Sequence, residues 1–431
     1  MDSLIDTNKK KCLEALIPRG LIGSGHAVLG ARVTAEGLCP VRLGLKGERI
    51  TSIEMISEQS ISDLKLLLPR LIEPHAHIDK AFTWGEVPNL KGGYQEALHA
   101  NLQELQNRTI ESVYSRAERS LKLACRNGIR ALRSHVDSFG FVADQTWEAL
   151  VSVRDDWKQF VELQLVALVP LEYWSTDQGK MLALSVAKAG GLLGGVLVPP
   201  FDRKASKSSL LKLLKIANQL GCGIDLHIDE SEIEPAEGLK LLINVLDQIE
   251  INVPITCSHS SSMGLLPLGK MRRLADSLAH HRVNVIALPL TNFWLLGRQS
   301  RRISGKRPFA PIAELQQAGV TVAIGGDNVQ DPWFPAGNFD PVSLMSITMS
   351  IAQLAPWQRL GLAPFTTSAS ALMELEWDGM IQIGGPADFV WLDASSWSEA
   401  LATSPGRKVM AQGKWVDENM FVTDKSKVQF D

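Results

Sequence analysis

Short apolar runs rich in β-branched residues alternate with longer stretches of helical period between residues 71 and 327. That alternation predicts successive strand–helix units around a parallel sheet. Strands are predicted at 71–77, 129–137, 161–169, 194–198, 223–227, 254–259, 283–289 and 321–327, with helical stretches at 111–125, 208–220, 238–249, 269–279 and 312–317. Gly128 and Gly221 stand where a left-handed residue ends a helix. Eight such units in roughly 260 residues fit the α/β class as a (β/α)8 TIM barrel, which typically takes about 250.

Both flanks break this rhythm. Before residue 69, Gly23, Gly25, Gly30, Gly37 and Gly47 supply turn signals around strand-like runs at 41–45 and 49–53. After Gly384, runs at 387–392 and 408–410 are set off by turns at Pro405-Gly406 and Gly413. The expected organisation is therefore a barrel over 69–378 and one small β domain formed by both termini, 1–68 together with 379–431.

Composition narrows the class. The chain has 431 residues, 45% hydrophobic and 21% charged, with a net charge of −3, as in ordinary soluble globular proteins. It lacks the basic footprint of a nucleic-acid binder. No run approaches the roughly 18 continuous apolar residues of a membrane span. Lys9-Lys10-Lys11 is followed by Pro18, Gly20, Gly23 and Gly25, so it reads as a solvated end and not as a leader. Five cysteines without CxxC spacing fit a reducing, cytoplasmic setting. Self-association into a homo-oligomer is left open.

Candidate chemistry sits where a barrel keeps it. His75, His77, His135, His227, His259 and Asp327 all fall at the carboxyl ends of predicted strands, the rim on which barrel enzymes gather their reactive groups. Strand alternation points His75 and His77 to one face, so both can reach one metal ion. A lone histidine at such a place is more often a hydrogen-bonded core group, but six coincident positions argue for a site. Asp137 is read as a partner of His135, an orienter of a ligand, or a salt-bridging group. The basic loop 298–307 is read as a solvated loop, with an anionic substrate as the alternative. His26, His99, His280 and His281 carry no assigned chemistry.

The motifs Glu73-Pro-His-Ala-His-Ile-Asp79, Ser134-His-Val-Asp137, Asp225-Leu-His-Ile-Asp-Glu230, Ser258-His259, and Asp327 with Asp331-Pro-Trp333 together resemble the amidohydrolase superfamily, and within it the cytosine deaminase branch. The resemblance spans nearly the whole chain. It implies a distorted (β/α)8 barrel with a flanking β domain, and one divalent metal, Zn2+ or Fe2+, held by His75, His77, His227 and Asp327. No lysine ends the fourth strand run, 194–198, where two-metal relatives keep a bridging lysine. In such a site Glu230 moves protons between water and a ring nitrogen, while His259 orients or deprotonates the nucleophile and Asp327 takes part in catalysis.

The chain departs from that branch where the substrate is read. Cytosine deaminases carry Pro-Gln after the third strand, but the matching place is Pro170-Leu171, and the residue after the metal aspartate is Asn328, not a second aspartate. Leu171, Asn328 and Trp333, a stacking platform or alternatively a core residue, are the expected substrate-binding positions. The expected activity is deamination of a small nitrogen heterocycle. The alternatives are hydrolysis of a cyclic amide or removal of an alkylamine from a triazine-like ring, and, from another class, a barrel that binds a heterocycle without turnover.

Overall fold

The computed structural model describes residues 11–23, 33–56, 63–298 and 307–417. Lys9, Lys10, Gly25, Gly30 and residues 299–306 of the basic loop lie outside the described residues. In chain order the first strands are β1 (Lys11–Pro18), β2 (Leu38–Lys46), β3 (Arg49–Met55) and β4 (Leu66–Pro69). Eight more follow: β5 (Leu71–Ala76), β6 (Ile129–Asp137), β7 (Glu162–Leu168), β8 (Leu192–Leu197), β9 (Ile224–Ile228), β10 (Ile255–His259), β11 (Val283–Ala287) and β12 (Val322–Ile324). Near the end come β13 (Phe389–Leu392), β14 (Arg407–Ala411) and β15 (Lys414–Trp415).

Strands β5 to β12 form one sheet in simple chain order, and every pair is parallel. A parallel bridge from Ala76 to Asp327 joins its two ends, which makes it a barrel. Helices cross between the strands, as parallel neighbours require. Two of them end as expected: Gly221 caps Arg203–Leu220 at φ 70°, and Gly128 follows Ile110–Arg126 at φ 88°.

Two strands stop two or three residues short of their predicted ends, for local reasons. The seventh ends at Ala287 because Pro289, which has no N–H to give a ladder, opens the helix Pro289–Leu295. The eighth ends at Ile324, where Gly325-Gly326 leave the ladder and Asp327 takes a left-handed φ of 65°.

The termini build a second, seven-stranded sheet in the order β15-β14-β13-β4-β1-β2-β3. Its alternation sorts side chains onto two faces. Leu16, Leu66, Leu68, Val390 and Leu392 join the large core shared with the barrel, while Ala15, Ile17, Leu67 and Phe389 enter a separate cluster. Both faces are thus buried, which explains the unbroken apolar run Leu66-Leu-Leu68. The chain changes sheets at Arg70, buried between β4 and β5, and there we propose the first domain boundary. Among the described residues no helix is long and apolar enough to cross a membrane. Cys39, Cys125, Cys222 and Cys257 are buried and Cys12 is exposed, all of them free thiols.

Candidate active site

The carboxyl ends of β5, β9, β10 and β12 bring the predicted groups together. His77 Nε2 lies 3.3 Å and His75 Nε2 3.5 Å from Asp327 Oδ1, and His227 Nε2 lies 3.4 Å from His77 Nε2. These side chains are at most 6% exposed. His75 Nε2 and both oxygens of Asp327 are buried without a hydrogen-bond partner, an arrangement that native proteins rarely leave unexplained. Donors about 2.0–2.2 Å from a common ion stand near 3.4 Å apart in tetrahedral geometry, so the spacing of His75, His77 and Asp327 fits a divalent metal; His75, His227 and His259 form a second, overlapping group that could also hold one. The protonation states agree: burial, with neighbouring imidazoles adding to it, pushes the pKa values of His75 and His227 well below the usual range, leaving both rings neutral with free lone pairs.

Outer contacts hold the rings in place. His75 Nδ1 pairs with Ser258 Oγ at 2.9 Å, and Ser258 Oγ in turn donates to Asp225 Oδ1 at 2.7 Å. His77 Nδ1 meets the carbonyl of His135 at 3.2 Å. Such partners fix the ring orientation that a ligand needs. The His135 ring stacks on His75 with centroids 3.9 Å apart, and its Nε2 lies 3.6 Å from Asp225.

Beside these ligands lies a second pair. The turn after β9 is made by Asp229 at φ 55°, whose carboxylate accepts from the N–H groups of Gly238 and Leu239 at 2.9 and 2.8 Å and so anchors the helix Glu237–Leu246. Glu230 is left to line the cavity. Its carboxyl oxygen is 3.4 Å from His259 Nδ1. Burial, assisted by the charge of Asp327, raises the Glu230 pKa well above the carboxylate range. Burial drives His259 the other way, down to about 4, so its ring is neutral at pH 7. Asn292, on the helix after β11, places its amide nitrogen 3.0 Å from His259 Nδ1. An amide N–H donates there, so the ring proton is assigned to Nε2, which is buried without a partner. Asp229, His259, Ser260 and Asp327 all hold positive φ, and left-handed strain clustered on one rim is a mark of functional sites.

The cavity of about 290 Å3 that opens onto these groups is lined by His77, His227, Glu230, His259, Asp327, Asn328 and Trp333. Trp333 meets Tyr94 edge to face at 5.0 Å, which sets its indole against the helix Tyr94–Leu105. Asn328 gives its amide N–H to Asp331 Oδ2 at 2.8 Å. Leu171 departs from expectation. It opens a 3-10 turn, Leu171–Ser175, is 3% exposed, and belongs to the apolar core, where its methyl stands 3.2 Å from the Cβ position of Gly195. Its neighbours Pro170 and Glu172 line the cavity instead.

Other wall residues escaped the sequence reading, notably Lys80, Asn101, Tyr94 and Phe139. For Lys80, three positions past His77 and directly after the first motif, that adjacency was a signal. For Asn101, only the fold brings it near. Asp137 pairs with Lys80 at 2.7 Å and with Arg108 at 3.2 Å, which selects the salt-bridging reading.

A parallel barrel with a buried His/Asp cluster that could hold a metal ion, and a carboxyl group at its rim, fits a hydrolase. The chain belongs to the amidohydrolase family, whose model matches residues 105–417. It is 31% identical over 360 residues to the pterin deaminase of Rhizobium rhizogenes, covering 82% of this chain and 81% of that one. It is 24% identical to the N-isopropylammelide isopropyl amidohydrolase of a Pseudomonas species, covering 82% and 87%. The crystal structure of 5-methylcytosine deaminase from Klebsiella pneumoniae with phosphonocytosine matches with a TM-score of 0.78 at 25% identity, covering 90% of this chain and 97% of that one.

Proposed function

We propose that the protein deaminates an amino-substituted nitrogen heterocycle by hydrolysis. The observation that carries this reading is the placement of Glu230, a buried carboxyl held in its protonated range, on the cavity wall beside His259 and the four converging side chains. Relatives named for pterin and 5-methylcytosine deamination support the same substrate class.

In this reading His75, His77, His227 and Asp327 hold one divalent ion, Zn2+ or Fe2+, since imidazole and carboxylate suit both. When bound, the ion supplies Lewis acidity that makes water a nucleophile near neutral pH. Glu230, protonated at the start, delivers its proton to the ring nitrogen next to the amino carbon, and the carboxylate so formed takes a proton from the attacking water. His259, neutral and with Nε2–H facing inward, donates to the oxygen being added and stabilises the charge there. Glu230 then passes that proton to the departing amine and, as the C–N bond breaks and C=O forms, takes up the proton of the added hydroxyl, ending protonated as it began. The balance is one water consumed, one C–N bond replaced by C=O, and one ammonia released. Trp333 offers a flat face for the ring, and Asn328, tied to Asp331, borders it.

A second reading, removal of an alkylamine from a triazine-like ring, is favoured by the relative named for isopropyl amidohydrolysis of N-isopropylammelide. The same residues would serve with a different leaving group. Assay of the metal-loaded protein on amino-pyrimidines, pterins and alkylaminotriazines separates the two: ammonia release supports deamination, alkylamine release supports the second reading, and neither from any ring overturns both.

A further inference from the structure

One wall of the cavity is polar, and the chemistry above does not use it. Lys80, Asn101 and Asp137 line it, and each is at most 3% exposed. Lys80 Nζ donates to Asp137 Oδ1 at 2.7 Å, and Asn101 Nδ2 donates to Asp137 Oδ2 at 3.3 Å. A carboxylate only accepts, so the amide nitrogen must face Asp137. That leaves Asn101 Oδ1 on the side of the amide away from Asp137, buried and with no hydrogen-bond partner. The Lys80 ammonium carries three N–H donors and gives one to Asp137.

The platform behind is fixed. Arg108 reaches Asp79 at 3.0 Å, Asp137 at 3.2 Å and Glu104 at 2.5 Å, and Arg116 pairs with Glu104 as well. Asp79, Glu104 and Asp137 thus balance Lys80, Arg108 and Arg116. Burial alone would lower the Lys80 pKa, but Asp137 and Asp79 outweigh it, so the side chain stays charged. Asp137 is consumed by this network. What the wall offers a ligand is a cationic donor beside an unmet acceptor.

A donor next to an acceptor is complementary to a ring lactam, O=C–N–H, whose oxygen accepts and whose nitrogen donates. We propose that Lys80 Nζ and Asn101 Oδ1 form a subsite that reads the lactam edge of the substrate, so that the protein takes amino heterocycles carrying an oxo group beside a ring N–H. This rests on the heterocycle reading above and narrows it. It also explains how polar selectivity is kept when the residue after the third strand is a core leucine. Asn101 Oδ1, otherwise a buried acceptor left unpaired at a cost, gains its partner from the ligand.

The test uses the metal-loaded protein and three pteridines: pterin, which has the lactam; 3-methylpterin, whose N–H is blocked; and 2-aminopteridine, which lacks the oxo group. Binding is read by quenching of pteridine fluorescence, and ammonia release is followed in parallel. A polar site rejects analogues that leave its groups unpaired, so wild type should bind pterin at least ~10²-fold more tightly than the other two. Asn101→Leu should weaken pterin toward the level of 3-methylpterin while leaving the other two within about threefold. Lys80→Met removes one partner of a buried ion pair and can fail to fold, so the wild-type ligand series and Asn101→Leu carry the test. The inference is overturned if wild type binds all three alike, if none binds, or if Asn101→Leu weakens all three equally. Discriminating binding without ammonia from any ring would instead sink the deaminase reading and leave the subsite standing.

Discussion

The backbone N–H of Asp327 donates to the carbonyl oxygen of His75 over 3.1 Å, so the bond that closes the barrel joins the backbones of two residues that we propose as metal ligands. Closure of the barrel and the proposed ligation are thus coupled. Glu73 reinforces it from the same strand, accepting from the N–H groups of Gly326 at 2.9 Å and His75 at 3.2 Å.

Metal binding should therefore stabilise the fold as well as activate it. A ligand that binds only the native state at 100 times its dissociation constant contributes about 2.7 kcal/mol. Adding the metal to stripped protein is expected to raise the thermal midpoint by several degrees. His227→Ala should lose most of that gain, as calorimetry with and without metal would show.

Glu230→Gln keeps the shape of the side chain but cannot shuttle a proton. It should retain wild-type metal content while kcat falls by ~10² or more. Steady-state kinetics beside elemental analysis checks both halves, and normal turnover would remove Glu230 from the mechanism.

Specificity cannot be rebuilt by the substitutions that comparison with cytosine deaminases suggests. Leu171→Gln puts an amide into the apolar core, where an unpaired polar group costs about 1–3 kcal/mol on top of lost packing. Asn328→Asp sets a carboxylate against Asp331, whose partner across 2.8 Å is now an amide N–H. Both variants should unfold at lower denaturant concentration than wild type, and neither should gain cytosine turnover. A rise in kcat/KM for cytosine would show that these side chains reach the ring.

The ion pair of Arg407 and Asp340 ties the terminal sheet to the barrel, with N–O distances of 2.8 and 2.7 Å, and the same carboxylate caps the helix Pro341–Ala352. Burial acts to raise the Asp340 pKa, but the Arg407 bond outweighs it and holds the carboxyl below the usual range. A pKa lower in the folded state means that the stabilisation is present above the unfolded value near 3.9 and is lost as pH falls through the folded one. Asp340→Asn should cost roughly 1–3 kcal/mol at pH 7, and the difference from wild type should shrink toward pH 3 in denaturant titrations. A difference independent of pH would mean that the charge of Asp340 does not carry the effect, since Asn caps a helix about as well as Asp.

The barrel and the placing of its candidate residues at strand ends were legible because they are written locally. Alternating runs mark the strands, Gly128 and Gly221 mark helix ends, and each of His75, His227, His259 and Asp327 stands at or just past the end of its own run. The cavity wall was not legible. Lys80 and Asp137 are 57 positions apart, and Asn101 and Asp137 are 36 apart, so only closure of the barrel shows that they pair. Leu171 misled for a local reason: in a 3-10 turn, neighbouring residues point in different directions, and motif position alone does not tell which one faces the ring.

The most direct measurement of the central claim is titration of metal-stripped protein with Zn2+, or anaerobically with Fe2+, while ammonia release from an amino heterocycle is followed. The four-ligand site predicts no release at zero metal, a linear rise, and a sharp end point at about one ion per chain. An end point at two ions, or full release with no metal bound, would contradict it.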